Sequence, residues 1–145
     1  MLLSVEWMAG FFDGEGCVLI SKDSGVRHHK RPAYTLCVII GNTDKRPLEQ
    51  LVVEFGGDLR DSQRGVNQVC AYWRVSAQKA QRFLEWIQPH VFIKKEQLDL
   101  ALEFQANRGL GGGRGRPLND EAVAYREQCY RQLQQMKRPH LNYEE

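Results

Sequence analysis

The sequence predicts an α+β domain: one four-stranded antiparallel sheet with helices packed on one of its faces. Three observations carry that prediction. Segments of helical and of alternating apolar periodicity follow one another in the order α-β-β-α-β-β-α, with further helix behind them. The strands come in two pairs, each joined by a polar stretch, and hairpins of that kind make antiparallel sheets. Glycine and proline fall at the joints, at Gly14 and Gly16, at Gly56-Gly57 and at Pro89. At 145 residues, 42% hydrophobic and 26% charged, the chain is one domain of ordinary globular composition, long enough to bury a proper core.

Each element has its own signals. Ser4 suits an N-cap and Glu6 the first turn of a helix running to about Asp13, which Gly14 and Gly16 then break. "CVLISK" follows as a strand, "DSGVRHHKRP" as a long polar hairpin loop and "AYTLCVII" as the return strand. Tyr34, Leu36, Val38 and Ile40 share the better core face of that strand, and Ala33, Thr35, Cys37 and Ile39 the other. Thr43 or Asn42 caps the next helix, whose Leu48, Leu51, Val52 and Phe55 form one stripe and which Gly56-Gly57 ends. "DLRDSQRG" and "NQVCAYWRVS" make the second hairpin. Arg60, Ser62 and Arg64 share one face of its first strand; in its second, Val69, Ala71, Trp73 and Val75 alternate against Gln68, Cys70, Tyr72 and Arg74. "AQKAQRFLEWIQPHV" is a helix ending near Pro89, and "KKEQLDLALEFQANR" is another. "NDEAVAYREQCYRQLQQMKRP" is the last, capped by Asn119 or Asp120. The expected division is a core over residues 1–108, a Gly/Arg-rich linker over 109–118, and a C-terminal helix and tail of the same domain over 119–145. That last helix reads as a cover for the core or as a brace on a nucleic-acid flank through its Arg and Lys.

Several classes are argued against. Cys17, Cys37, Cys70 and Cys129 include no pair at C-x₂₋₄-C spacing, which speaks against structural zinc and fits reduced thiols. The N-terminus has no basic leader before a long apolar run, and no run approaches membrane-spanning length. The expectation is a soluble intracellular protein, of cytoplasm, nucleoid or organelle, with no membrane partner and no small-molecule cofactor. "GLGGGRGRPL" lacks the G-K-[ST] of a phosphate loop and reads as a linker, with Arg114 and Arg116 in reach of backbone phosphate as the sharper alternative.

A net charge of +2 decides nothing, but its distribution is uneven. The sheet face away from the helices, with its loops, carries Arg27, Lys30, Arg31, Arg60, Arg64 and Arg74, against Asp23, Asp58 and Asp61. The helices hold most of the acid, at Glu49, Glu54, Glu85, Glu96, Asp99 and Glu103. Sheets read DNA in the major groove through alternate side chains, Arg pairing with guanine and Gln or Asn with adenine. Arg60, Arg64, Gln68 and Arg74 are placed for such contacts, and Ser21, His28, Thr35, Ser62 and Tyr72 complete the candidate surface. A merely solvated face would carry the same charge. The adjacent His28 and His29 suit DNA contact in so basic a loop, with metal binding as the other reading.

"MAGFFDGEG" sharpens the choice. Ala9, Gly10 and Gly14 are small residues at near-helical spacing, including a G-x-x-x-G step that lets two helix backbones approach closely. Two copies packed about a symmetry axis would bring both Glu15 side chains together. The stretch resembles the nine-residue motif of the LAGLIDADG homing endonucleases, with Met8 for the initial leucine and Glu15 at the last acidic position. The resemblance covers most of residues 4 to 105, since the order of elements also fits that family's αββαββα fold. One motif in a chain this short looks like the homodimeric branch.

The resemblance implies a site-specific double-strand DNA endonuclease, intron-encoded in type, that hydrolyses phosphodiester bonds in a long, partly palindromic target with Mg²⁺. Mn²⁺ or Ca²⁺ would substitute for binding. Glu15 would be the metal-binding carboxylate, with the Gly14 carbonyl beside it and Asp13 as a helix-end residue and weaker metal candidate. Asn42 would stand near the attacking water, Lys94 would be the active-site lysine, and Lys45 would assist. Met8, Ala9, Gly10, Phe12 and Asp13 would line the dimer interface. Members of the same fold without cleavage activity are the alternative: a DNA-binding regulator or an RNA-splicing maturase.

Overall fold

The structure, a computed structural model, describes residues 2–23, 32–63, 69–109 and 119–138. Helix α1 (Val5–Glu15) runs directly into strand β1 (Gly16–Asp23), followed by β2 (Ala33–Asn42), α2 (Arg46–Phe55), β3 (Asp58–Gln63) and β4 (Val69–Ser76). Helix α3 (Ala77–Ile87), a 3₁₀ turn at Gln88–His90, α4 (Lys95–Ala106) and α5 (Asp120–Met136) complete the chain. The strands form one antiparallel sheet in the order β1-β2-β4-β3. This is the predicted α+β arrangement.

Its register follows from alternation. Gly16 pairs with Ile40 and Asp23 with Ala33, Ile40 pairs in turn with Trp73, and Trp73 with Leu59. Val18, Ile20, Leu36, Val38, Ile40, Ala71, Trp73 and Val75 therefore point to one face, where the helices bury them. A slip of one residue would turn that whole set outward, so burial fixes the pairing. Phe83 of α3 is the hub of the core. Its ring lies 5.1 Å from Trp73, 5.4 Å from Phe55 and 5.9 Å from Phe12, all edge-on. Burying such a ring contributes about 1.5–3 kcal/mol, and the edge-on geometry adds to it.

The helix ends show where local signals held and where they did not. Ser4 Oγ accepts from Trp7 N at 3.1 Å and Asn119 Oδ1 from Ala122 N at 2.8 Å, both N-caps as expected. Neither Thr43 nor Asn42 caps α2. Asn42 Oδ1 instead accepts from Asp44 N at 2.8 Å and Asp44 Oδ1 from Arg46 N at 3.0 Å, a turn that delivers the chain to Pro47 in the first helical turn. Helix α1 also continues through Gly14 to Glu15, past the expected break near Asp13. At the end of α2, Gly57 has φ 90°, and a Cβ there would lie 2.5 Å from the Arg74 carbonyl, so only glycine fits. Trp73 Nε1 donates to Gly56 O at 2.8 Å and pins that turn.

Helix α5 packs on α4 and beside β1, the edge strand, which it shields. Cys129 and Leu133 are buried, Arg126 donates to Arg108 O at 2.7 Å, and Asn107 donates to Tyr125 Oη at 2.8 Å. Glu127 accepts from Lys22 Nζ and, at 2.7 Å, from Tyr34 Oη. Lys22 and then Tyr34 pull the Glu127 carboxyl down to about 2, while burial and that carboxylate push Tyr34 up to about 12. No described helix is long and apolar enough to cross a membrane.

Candidate active site

The site is built where α1 meets β1. Gly16 at the joint donates its N–H to Phe12 O, and a Cβ on it would lie 2.3 Å from the Phe12 ring, so the helix passes into the strand only over glycine. Asp13 faces the segment before α4. Its Oδ2 accepts from Phe92 N at 2.8 Å and its Oδ1 from Lys94 N at 3.1 Å. The Lys94 side chain answers from the other direction, its Nζ donating to Asp13 O at 2.7 Å and to Phe12 O at 3.2 Å. An ammonium there satisfies carbonyls that every helix end leaves orphaned, and suits the negative pole of the helix. Burial pushes the Lys94 pKa down, Asp13, Cys17 and Glu15 oppose that, and Lys137 adds to it.

Glu15 is treated differently. It is exposed, and its carboxylate makes no hydrogen bond or ion pair among the described residues. Asn42 lies two residues beyond the Gly16–Ile40 pair, at the same end of the sheet. With Oδ1 engaged by Asp44, its amide Nδ2 is left without a hydrogen bond among the described residues. Lys45 is engaged in an exposed ion pair. Its ammonium is held by Asp61, at 2.9 Å from Oδ1 and 3.0 Å from Oδ2, on the strand at the opposite edge of the sheet from β1. An exposed acid two strands from β2 thus pairs with the lysine that the resemblance puts in the site as an assistant.

No cluster of three or more His, Cys, Asp or Glu side chains suited to a metal ion occurs among the described residues. One free carboxylate at this end of α1 does not make an all-protein cage for zinc. It does fit Mg²⁺, which keeps several waters and commonly takes one or two carboxylates together with phosphate oxygens.

The outer face of α1 carries Trp7, Gly10, Phe11 and Gly14, with the Trp7 and Phe11 rings stacked at 5.0 Å. A Cβ at Gly10 or Gly14 would meet nothing within 4 Å, so the chain's own packing does not require glycine at either position. The expected interface set needs correction here. Met8, Ala9 and Phe12 are 0% exposed, because they turn inward and fill this chain's core. Of the expected interface residues Gly10 faces outward, and Asp13 is held by the backbone of Phe92 and Lys94. Large apolar side chains nearby remain exposed, Phe92 at 85% and Ile93 at 68%.

The sheet face opposite the helices carries the described candidates for nucleic-acid contact. Ser21 pairs directly with Thr35, Arg60 with Tyr72, and Arg74 with Asp58. Arg60 is highly exposed and 4.0 Å from Asp58 Oδ2, while the Arg74 guanidinium donates to Cys37 Sγ at 3.5 Å. Arg27, His28, Lys30, Arg31, Arg64, Gln68, Arg114 and Arg116 lie outside the described residues. One contact that sequence reasoning did not foresee is that of Lys137, whose Nζ donates to Cys17 Sγ at 3.3 Å. No local spacing links residues 120 positions apart, so nothing in the sequence signals that contact.

No family model matches the sequence, and no curated protein matches it. Solved structures are similar in fold. The homing endonuclease I-TnaI is 17% identical with a TM-score of 0.69, over 96% of this chain and 99% of that one. The archaeal intron-encoded homing endonuclease I-Vdi141I, complexed with DNA, is 16% identical with a TM-score of 0.72, over 91% and 82%. The homing endonuclease I-CvuI, in complex with its target in the presence of Ca, is 16% identical with a TM-score of 0.69, over 91% and 80%. The α1 motif, the β1-β2-β4-β3 sheet and its flanking helices therefore make up the fold of the LAGLIDADG homing endonucleases.

Proposed function

We propose that this chain is a site-specific double-strand DNA endonuclease of the homing type, acting as a homodimer with a divalent cation. The observation that carries the reading is the contrast at the end of α1. Asp13 and Lys94 lock the helix end to the rest of the fold, and Glu15 beyond them is left free in solvent. Of the homing endonucleases of the same fold, I-Vdi141I and I-CvuI were solved with DNA, I-CvuI in the presence of Ca and, with its DNA not cleaved, of Mg, which supports the substrate and the class of ion.

Glu15, with the Gly14 carbonyl beside it, is the group that would hold Mg²⁺; such an ion activates water and neutralises charge on a phosphate. The chain's own residues supply position. Asp13 and Lys94 fix the direction in which the helix delivers Glu15. The unused Asn42 amide at the same end of the sheet orients a water by hydrogen bonding. The outer face of α1, thinned to glycine at 10 and 14 and flanked by Trp7 and Phe11, seats the same face of a second copy. That symmetry brings two Glu15 carboxylates together, one for each strand of a duplex, and predicts a partly palindromic target. Ser21, Thr35, Arg60, Tyr72 and Arg74 face the major groove, each good base contact contributing about 1–3 kcal/mol of discrimination.

The test is cleavage of a randomised duplex library with Mg²⁺, comparing wild type with Glu15→Gln. Wild type should release ends around related, partly palindromic sites, and the variant should fall by at least ~10³-fold while still binding duplex. Equal cutting by the two proteins, or duplex binding by wild type without any cutting, would overturn the nuclease reading; the second result would assign the chain to a non-cleaving regulator.

A further inference from the structure

We infer that Leu19 and Ile39 are specificity-determining residues, which select thymine through its C5-methyl group in the base pairs of each half-site nearest the cut. The inference rests on the proposed function and deepens it, by naming a base that one part of the open sheet face prefers. That face is divided. On β3 and β4 it presents Asp58, Arg60, Ser62, Tyr72 and Arg74, all able to exchange hydrogen bonds. At the Glu15 end of β1 and β2 it presents Cys17, Leu19 and Ile39. Cys17 pairs with Ile39 and Leu19 with Cys37, on the side of each strand opposite buried Val18, Val38 and Ile40. Cys37 is itself buried, and the Cys17 thiol already holds the Lys137 ammonium. Leu19 and Ile39, diagonal neighbours on that face, are the half-buried aliphatic side chains open to a ligand there.

The fold does not ask for them. Neither belongs to the hydrophobic core or to the apolar side chains packed on its rim. In a major groove the thymine methyl is the one apolar group; guanine, adenine and cytosine present hydrogen-bonding edges. Leucine or isoleucine against those edges strips their water and returns no hydrogen bond, whereas the methyl gains by burial. One contact therefore favours thymine and disfavours the other bases. The position follows from the register. Leu19 lies four residues beyond Glu15, about 13 Å along an extended strand, or about four base pairs of duplex. Ile39 adjoins Ile40, the partner of Gly16. From β4, Arg74 pairs with Ile39 at the same level of the sheet, so a guanine reader and a methyl reader stand side by side.

The test selects duplexes bound by the full chain from a randomised library without Mg²⁺. It then compares the best site with the same site carrying uracil for thymine in that block. Uracil keeps every hydrogen-bonding group of thymine and lacks only the methyl. Selected sites should carry T·A pairs there, and each lost methyl should raise Kd about 4-fold. Leu19→Gln and Ile39→Gln should each abolish the uracil effect at one position and turn the selected base there toward adenine, while Ile39→Val keeps thymine. The uracil comparison on wild type decides the matter even where a Gln chain fails to fold. Equal affinity for thymine and uracil sites, a block enriched in guanine or cytosine, or unchanged selection by both Gln chains would overturn this inference and leave the proposed function standing. A wild-type chain that binds no duplex would overturn both.

Discussion

Glu15 and Glu127 meet opposite ends of strand β1, and the fold handles them in opposite ways. At the far end Glu127 is surrounded: Lys22, Tyr34 and Arg131 all donate to it, and its carboxyl is held at about 2. At the near end Glu15 has no donor at all among the described residues. Asp13 lies between the two cases, with backbone N–H groups on both oxygens. A carboxylate that the fold satisfies holds elements together, and one that it leaves unsatisfied at a rigid helix end is available to a ligand. The same division applies to the cations, with Lys22 and Lys45 in ion pairs and Lys137 on a thiol.

Substitutions should separate these roles, and the largest stability effect should come from Asp13. Asp13→Asn leaves one oxygen for two N–H donors, and losing a charge-assisted bond to a backbone N–H should lower stability by about 2 kcal/mol in a urea melt. Unchanged stability would mean that the Phe92 and Lys94 bonds do not hold the helix end. Glu127→Gln should come next, at about 1–2 kcal/mol, because this ion pair is partly screened by solvent. Its pH signature follows from linkage. The folded carboxyl is held at about 2, below the ordinary glutamate value of 4.5, so its contribution is present above pH 4.5 and is lost as pH falls toward 2. Wild type should therefore lose more stability than Glu127→Gln across that window in an acid titration followed by circular dichroism.

Smaller effects sharpen the contrast. Glu15→Gln should change stability by less than about 0.5 kcal/mol, as expected of an exposed side chain with no hydrogen bond or ion pair to lose among the described residues. A loss comparable to that of Asp13→Asn would break the comparison. Gly10→Ala should raise the stability of the monomer by about 0.5–1 kcal/mol, since alanine favours helix and its Cβ meets nothing. In sedimentation velocity the same variant should shift toward monomer if Gly10 seats a partner helix. A dimer fraction equal to wild type would place the interface elsewhere.

Much of this was legible in the residues. Alternation in "AYTLCVII" and "VCAYWRVS" placed the buried and open sides of the sheet, since period 2 leaves no other choice once one face is apolar. Ser4 and Asn119 declared their helix starts through side chains that cap locally. Asp13, read as a helix-end residue, is held there by the backbone of Phe92 and Lys94, and Glu15, read as the carboxylate for metal, is the group on which the proposed function rests. The cap of α2 was not, because Asn42 and Asp44 each had a competing turn within reach. The inner and outer sides of α1 were mixed as well: Met8, Ala9 and Phe12 are apolar or small and would suit either a core or a partner.

The sequence by itself determined the order of elements, the faces of the strands and the motif that ends in Glu15, because each rests on residues within one turn or one strand of each other. Only the tertiary structure decided which charges are satisfied. Phe92 and Lys94 reach Asp13 from about 80 positions away, Asp61 draws Lys45 to the far edge of the sheet, and α5 carries Lys137 to Cys17. Electrostatic partners are chosen by distance in space, which the chain acquires only when its apolar faces have closed on one another.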